Sequence, residues 1–473
     1  MAHRLRFYAL IVAFFFVASF SAGCARHQNA SAQDTLAECI APEAQEPVAD
    51  PEPEVPETPK LKNVILMIGD GMGPQHVGLL ELYARYAGDA RYPKGLSHLG
   101  RMLRDGATGM VITTPGDGLV IESAAGATQI GTGKMTNYGN VGIGMDGKPL
   151  ESAVHVAKQQ GLRTGLVTDT RITHATTAAF AAHTDDRWDE TTIAVQMLET
   201  APDLMLAGGW RYFLPKNVKK DKALMERLRN EYELPPEGIR SVRKDDRNLL
   251  DEARDAGYNI ISHPAALDDA DALPLLGLFA PNGMQNGKEW WEEQDSHSPT
   301  EPSLATMSTR AVELLSQDDT GFFLMIEGGQ IDWASHLNQP QRLLYELIRF
   351  DDAIGAITQW ASERDDTLVI VTADHETGGF SLTYDKNGPP DASIFDRLDS
   401  EKTYVQWATT DHTHTPVIAV ATGETEYTRA FAGLYHQTQL GEMILDLIRD
   451  IQSPALEDSG EDALPTADAD LGE

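Results

Sequence analysis

Short runs of apolar residues alternate along the chain with longer segments in which apolar residues recur at helical spacing. Five runs predict strands, because their Val, Ile and Leu density is typical of strands buried on both faces of a parallel sheet. They cover residues 63–68, 163–167, 322–326, 367–372 and 416–421. Helical periodicity covers residues 151–160, 192–199, 303–316, 341–362 and 441–452. This alternation predicts an α/β fold, a three-layer αβα sandwich with a mainly parallel central sheet.

The first 23 residues have the pattern of an export signal. A positively charged start is followed by an apolar run over residues 7–20, which is too short to span a bilayer comfortably. Residues 21–24 resemble a bacterial lipoprotein box, which would make Cys24 the lipidated first residue of the mature protein. The alternative is cleavage after Ala32. Both alternatives predict an exported protein, either periplasmic or an outer-membrane lipoprotein held at the membrane by its lipid anchor.

Two segments flank the patterned region and lack a hydrophobic period. Residues 24–60 form an acidic, Pro-rich linker, and residues 453–473 form an acidic tail that we expect to be disordered. Such compositions cannot bury a core and stay solvated. The predicted organisation is therefore a signal peptide (1–23), a linker (24–60), one folded domain (61–452) and a tail (453–473).

Within the folded domain, residues 281–300 read as an insertion loop. It carries the adjacent Trp290 and Trp291, which we expect to pack locally. The alternative is that they cover a functional site or a partner subunit.

Composition narrows the function classes. The 473 residues include 38 Lys and Arg against 72 Asp and Glu, which gives a formal net charge of −34. A surface this negative repels phosphate backbones and argues against nucleic-acid binding. Two cysteines are too few for a disulfide framework or a cysteine-based zinc site. A large acidic enzyme is the simplest interpretation.

Potential metal ligands follow several of the predicted strands. Ligands bind beyond the carboxyl ends of strands in open α/β sheets, so residues at these ends converge. The side chains concerned are Asp70, Glu327, Asp332, His336, Asp374 and His375, with Asp411, His412 and His414 just before the last strand. Each position alone has an ordinary structural explanation, such as a turn or a solvated helix face. Together they indicate a site for several metals, and carboxylates mixed with imidazoles point to zinc and magnesium.

Ser123 lies among small residues before a segment that could begin a helix. A serine at a helix N-terminus lies at the positive end of the helix dipole and is open to a bulky substrate. A plain helix cap is the simpler explanation of this segment taken alone.

Taken together, these stretches resemble the alkaline phosphatase family. The matching motifs occur in the family's order and cover nearly all of residues 61–450: Ile68-Gly69-Asp70-Gly71-Met72-Gly73, Ser123-Ala124-Ala125 with Ala127-Thr128 and Thr132-Gly133-Lys134, His174-Ala175-Thr176 with Ala182-His183 and Arg187, Glu327-Gly328-Gly329 with Ile331-Asp332 and His336, Thr372-Ala373-Asp374-His375 with Thr377-Gly378-Gly379, and His412-Thr413.

The resemblance implies three metal sites. One zinc would be held by Asp332, His336 and His412, and a second by Asp70, Asp374 and His375. A magnesium ion would use Asp70, Thr176 and Glu327, so that Asp70 bridges two metals. His414 remains an alternative to His412, because alternate residues of an extended chain face the same way.

The resemblance also implies the reaction. Ser123 would attack the phosphorus of a small phosphate monoester and form a phosphoserine intermediate, which water then hydrolyses. Arg187 would hold two phosphate oxygens with its bidentate guanidinium group. Many members of the family are dimers, so a homodimer is a further expectation, although the sequence identifies no interface.

Three positions depart from the family pattern. Glu122 stands where many members have Asp, His174 replaces an Asp found in some members, and Trp333 stands where others have Lys or His. As neighbours of the metal ligands, His174 and Trp333 bear on the choice of third metal and on phosphate affinity.

Two other functions remain open. A phosphodiesterase or another hydrolase of the same superfamily would share the metal ligands, and an inactive binding lipoprotein would share the fold. The sequence leaves the physiological ester and the role of Cys39 undetermined.

Overall fold

The computed structural model describes residues 60–236, 238–294, 300–383, 395, 398 and 405–451. The expected signal peptide, the tail and nearly all of the linker lie outside the described residues, as do Cys24, Ala32 and Cys39. In the part of the chain that is described, no helix is both long and apolar enough to cross a membrane.

Fourteen strands occur in the described residues. They are β1 (Asn63–Gly69), β2 (Ala107–Ile112), β3 (Arg163–Arg171), β4 (Leu204–Gly208), β5 (Asn259–Ile261), β6 (Leu275–Leu278), β7 (Phe322–Gly328), β8 (Thr367–Thr372), β9 (Glu376–Thr377), β10 (Ser381–Leu382), β11 (Val405–Gln406), β12 (His412–Thr413), β13 (Val417–Thr422) and β14 (Gly433–His436).

Ten of these described strands form one sheet in the order β14-β2-β13-β8-β1-β7-β3-β4-β6-β5. Neighbours from β8 to β5 run parallel, whereas β13 is antiparallel to both β2 and β8. The mainly parallel sheet is as predicted. The run at 416–421 was grouped with the parallel strands, and its antiparallel direction is a difference from that expectation. β1 lies at the centre, pairs with β7 and β8, and is buried along its whole length, as its apolar run over residues 64–68 requires.

The helices are α1 (Pro74–Tyr86), α2 (His98–Asp105), α3 (Ser123–Thr132), α4 (Ala153–Gln159), α5 (Ala175–Ala178), α6 (Glu190–Thr200), α7 (Lys222–Asn230), α8 (Leu249–Asp255), α9 (Pro264–Asp268), α10 (Gly287–Gln294), α11 (Leu304–Leu315), α12 (Gln330–His336), α13 (Pro340–Ala361), α14 (Thr425–Thr428) and α15 (Gln437–Asp450). Short 3-10 helices cover Trp210–Tyr212, Val218–Lys220 and Arg429–Phe431.

Helices cover the sheet in two layers. One layer contains α1, α2, α11 and α13, and the other contains α3, α4, α5 and α15. The sandwich predicted from the alternation of strands and helices is confirmed.

The segment expected as an insertion loop is partly helical, because α10 occupies its middle. Its tryptophans, which were expected to pack locally, contact α13 outside the segment: the Trp291 ring lies 6.0 Å from the Tyr345 ring, and the Arg349 guanidinium lies 5.8 Å from the Trp290 ring. Residues 295–299 of the segment lie outside the described residues.

Candidate active site

The turn after the central strand β1 brings two strand ends together. Asp70 follows β1 directly, and Gly71 adopts a left-handed backbone with φ of 71°. A side chain at Gly71 would lie 2.6 Å from Thr377 Oγ1, so glycine suits both the conformation and the space. The Gly71 amide donates a 3.1 Å hydrogen bond to Asp374 Oδ1 and so ties the ends of β1 and β8 together.

A first cluster of potential ligands consists of Asp332, His336 and His412. His336 Nε2 lies 3.3 Å from Asp332 Oδ2 and 3.1 Å from His412 Nε2. The other ring nitrogens are 2.7 Å from the Thr410 carbonyl oxygen (His336 Nδ1) and 2.9 Å from that of Ile121 (His412 Nδ1). Such bonds fix the ring orientation and turn Nε2 of each ring toward the cluster, where it could bind a metal.

The charges in the first cluster support one another. Burial raises the pKa of Asp332, but the hydrogen bond from His336 and the nearby imidazoles outweigh it and hold that pKa below its usual range. The bond to Asp332 raises the pKa of His336 to about 9. Without a metal ion, the positive charge of protonated His336 therefore balances the negative charge of Asp332.

A second cluster consists of Asp70, Asp374 and His375, all fully buried. His375 Nε2 lies 3.4 Å from Asp70 Oδ1 and 3.4 Å from Asp374 Oδ2. Burial and the neighbouring carboxylates raise the pKa of Asp374 to about 8 and that of Asp70 well above its usual range. Burial lowers the pKa of His375. A bound cation would remove the penalty on both carboxylates, because it favours their charged forms.

A third cluster shares Asp70 and adds His174 and Glu327. His174 Nδ1 lies 3.7 Å from Glu327 Oε1, and burial lowers the pKa of His174 so that its neutral, metal-binding form is favoured. The sequence placed His174 beside this site and Thr176 in it. The structure places the His174 imidazole among the potential ligands.

The three clusters contain several buried atoms without a hydrogen-bond partner. They are Asp70 Oδ2, Asp374 Oδ2, Glu327 Oε1, His174 Nδ1 and Thr176 Oγ1. Buried polar groups in proteins are nearly always paired, and a bound ion is one explanation for those that are not. Oxygen and imidazole ligands suit zinc and magnesium, so these residues fit the metals that the sequence analysis expects.

Helix α3 begins at Ser123. Its first turn is capped by Glu122, whose carboxylate accepts 2.8 Å hydrogen bonds from the backbone amides of Ala124 and Ala125. A side chain at Gly126 would lie 3.0 Å from the Asp374 carbonyl oxygen, so the small residues let α3 approach the end of β8 closely. This approach places Ser123 Oγ 3.2 Å from His375 Nε2 and 3.4 Å from Asp70 Oδ1.

Arg187 lies at the same end of α3, because Nη1 of its guanidinium group donates to the Glu122 carboxylate. Glu122 also accepts a 2.9 Å hydrogen bond from the Gly139 amide. In the sequence Glu122 stands out only as a departure from the family pattern, and its contact with Arg187 was not predicted. The sequence did offer one signal for this contact, because Glu122 is an acidic residue next to the candidate nucleophile and Arg187 was already expected to lie in the same site.

Trp333 packs on the side of the third cluster. Its ring lies 5.7 Å from the His174 ring at 85°, and the Arg171 guanidinium lies 5.8 Å from the indole. A side chain at Gly283 would lie 2.5 Å from the indole, so the backbone at Gly283 lies directly against this ring.

Comparison with known proteins identifies the family. The sequence model described as Alkaline phosphatase matches residues 61–395. The chain belongs to the alkaline phosphatase family. Alkaline phosphatase 4 of Bacillus subtilis (strain 168) is 35% identical over 331 residues, which cover 68% of this chain and 63% of the relative. The matched region thus spans less than two thirds of that alkaline phosphatase.

Solved structures of alkaline phosphatases share the fold. The alkaline phosphatase from the Antarctic bacterium TAB5 superposes with a TM-score of 0.63 at 27% identity, covering 82% of this chain and 99% of that chain. A variant of the TAB5 enzyme was solved with Mg bound in the M3 site and superposes with the same TM-score, identity and coverage.

The structure brings together nearly all the residues that the sequence singled out. Eight predicted metal ligands lie in or beside the three clusters: Asp70, Thr176, Glu327, Asp332, His336, Asp374, His375 and His412. His412 belongs to the first cluster, whereas His414 is exposed and lies outside it. The roles assigned to these residues remain predictions.

Proposed function

We propose that this protein hydrolyses phosphate monoesters to an alcohol and inorganic phosphate, with Ser123 as the nucleophile. The observation that carries the proposal is the position of Ser123 Oγ, within 3.4 Å of Asp70 and His375 in the second cluster. The first cluster lies alongside, because the His375 and His412 rings stack with centroids 3.8 Å apart. A nucleophile beside two adjacent clusters suits an in-line displacement assisted by two metals.

Named residues would hold each metal. The first and second clusters would each hold a zinc ion, and the third cluster with Thr176 a magnesium ion. When bound, these ions would lower the pKa of the Ser123 hydroxyl and neutralise charge on the attacking and leaving oxygens.

The protein's own groups would carry out two successive displacements at phosphorus. Ser123 Oγ loses its proton and forms a bond to phosphorus, while the bond from phosphorus to the ester oxygen breaks and the alcohol leaves with a proton. Water then attacks the phosphoserine, which restores Ser123 and releases phosphate. The N-terminus of α3 favours the negative charge that develops on the phosphoryl group.

Arg187 would orient the phosphate. Its guanidinium group can donate two parallel hydrogen bonds to phosphate oxygens, a geometry that Lys cannot reproduce. Glu122 holds one nitrogen of this group and also caps α3, so it couples the position of Arg187 to that of Ser123.

We further propose that the protein acts outside the cytoplasm and is tethered through Cys24. The support is the sequence pattern of residues 1–60 alone. Processing after Ala32 would instead release the enzyme, and a homodimer remains an expectation from the family.

Substitution of the nucleophile tests the proposal. Ser123→Ala should lower turnover of a chromogenic phosphomonoester by about four to six orders of magnitude, as loss of a covalent nucleophile does. Ser308 is equally buried, and its hydroxyl donates only to the Leu304 carbonyl in α11, so Ser308→Ala is the matched control and should retain activity.

Two further measurements separate this function from its alternatives. Acid quenching during turnover of a radiolabelled ester should trap label on Ser123. Retained activity in Ser123→Ala would show that another group attacks. Faster hydrolysis of a diester than of its monoester would indicate the phosphodiesterase.

A further inference from the structure

A group of exposed apolar side chains lies near the candidate nucleophile. Among the described residues, nine large apolar side chains are exposed, and five of them are Leu119, Val120, Tyr138, Met145 and Trp188. We call these five the apolar rim. Leu119 is 81%, Trp188 69%, Tyr138 59% and Met145 53% exposed. Exposed apolar side chains that lie together on a surface are typical of a binding site.

Hydrogen bonds to Glu122 and His412 place parts of the rim beside the site. Val120 lies three residues before Ser123, and the intervening Ile121 carbonyl is 2.9 Å from His412 Nδ1. Gly139, next to Tyr138, donates to Glu122 Oε1 at 2.9 Å. The same carboxylate holds Arg187.

The other rim residues are tied to the same loops. The Tyr138 amide donates a 2.9 Å hydrogen bond to Asp117 Oδ1, and a side chain at Gly116 would lie 2.8 Å from Met145 Sδ. Burial and the charges of Glu122 and Asp411 raise the pKa of Tyr138.

Trp188 directly follows the proposed phosphate-binding arginine. The Arg187 guanidinium lies 5.1 Å from the centre of the Trp188 ring, within the range of a cation–π contact. A phosphate on Arg187 therefore has an exposed aromatic surface within reach of the group esterified to it.

Acidic residues accompany the rim. Asp117 and Asp411 lie near Tyr138, and Asp185 and Asp186 precede Arg187; all four are exposed. Such a setting repels a leaving group with further negative charges and tolerates a neutral one.

We propose that the apolar rim binds the alcohol portion of the substrate and selects phosphomonoesters of neutral, apolar, preferably aromatic alcohols. This proposal rests on the proposed function, because it assumes that phosphate lies between Ser123 and Arg187. Binding a remote part of the substrate can raise kcat/KM without altering the reacting groups.

The test compares two esters of primary alcohols with similar leaving groups, 2-phenylethyl phosphate and ethyl phosphate. The native enzyme should have a kcat/KM about three- to tenfold higher for the phenylethyl ester, the size expected for one aromatic contact. Trp188→Ala and Tyr138→Ala should each lower that ratio toward one, and Trp188→Phe should restore most of it. Leu434 is 68% exposed and lies in β14, so Leu434→Ala is the control and should leave the ratio unchanged.

The ratio separates the outcomes. Displacement of Arg187 by a change at Trp188 would lower kcat/KM for both esters equally and leave the ratio intact, which would overturn the proposal. A ratio of one in the native enzyme would overturn it too, while hydrolysis of both esters would keep the proposed function. Hydrolysis of neither ester would contradict the function itself.

If the rim variants convert a dimer to a monomer in light scattering at an unchanged ratio, the rim is an interface between copies instead.

Discussion

Two buried glutamates near the same edge of the sheet have opposite surroundings. Glu190 at the start of α6 accepts hydrogen bonds from Arg171 Nε at 2.5 Å, Thr173 Oγ1 at 2.6 Å and the Tyr212 hydroxyl at 3.1 Å, so both of its oxygens are paired. Glu327 at the end of β7 has one oxygen bonded to threonine hydroxyls and one with no partner.

This difference in hydrogen bonding indicates that Glu190 is a structural carboxylate and that Glu327 is a potential metal ligand. Arg171 supplies the cation for Glu190 within the protein. Around Glu327 the unpaired atoms lie together with those of Asp70, His174 and Thr176, and no described arginine or lysine forms an ion pair with Glu327. An unpaired buried carboxylate is costly unless a cation completes it. The comparison therefore supports a metal at Glu327 and none at Glu190.

Among the changes that bear on this comparison, the largest expected effect is at Asp70, the carboxylate that two clusters share. Asp70→Asn should lower kcat/KM by more than about 100-fold, the size of losses from changing groups that merely orient metal ligands. Glu190→Gln, assayed in parallel with the same phosphomonoester, should stay within a few-fold of the native enzyme. Equal losses in the two variants would show that Glu190 matters to the reaction as much as the shared ligand Asp70 does.

Glu190→Gln should instead reduce stability. It leaves the buried Arg171 without its anionic partner, which costs about 3–5 kcal/mol in the free energy of unfolding. Denaturant unfolding measures the loss, and metal content should not change. A Glu190→Gln protein of native stability that loses metal would reverse the roles of the two glutamates.

A smaller effect concerns pH in the metal-free protein. The pKa of Asp374 is raised to about 8 in the folded state, against about 3.9 for an unfolded aspartate. The folded state thus holds a proton that the unfolded state has lost, and stability should fall as pH rises from about 4 to about 8. The melting temperature of the protein freed of metal with a chelator should be at least about 2 °C lower at pH 8 than at pH 5.

Asp374→Asn provides the control for this pH dependence. Amide replacement removes the titration, so the variant's melting temperature should change less with pH than that of the native chain. Identical pH dependence in the two proteins would show that Asp374 does not titrate in this window.

Much of the fold was predictable because long apolar runs specify central strands. The runs at 63–68 and 367–372 correspond to β1 and β8, which are buried along their length. β2, β4, β5, β6 and β14 were not predicted. β2 contains Gly109 and has alternating burial, and β6 has only four residues, so neither gives a strong local pattern. The antiparallel direction of β13 depends on pairing with residues distant in sequence.

The residues of the candidate site were also predictable, since family motifs carry residue types and order. The contact between Glu122 and Arg187 was not, because 65 residues separate them. The sequence predicted His174 as a neighbour of the third metal site, whereas the structure places its imidazole among the potential ligands. Sequence spacing does not report where a side chain points after a strand has ended.

A count of bound metals in the native enzyme and in Glu327→Gln tests directly whether Glu327 is a metal ligand. Elemental analysis of the active native protein should find two zinc ions and one magnesium ion per chain. Glu327→Gln should lose the magnesium and keep the zinc, and Glu190→Gln should keep all three ions. An active native protein with less than one bound metal per chain would contradict the account.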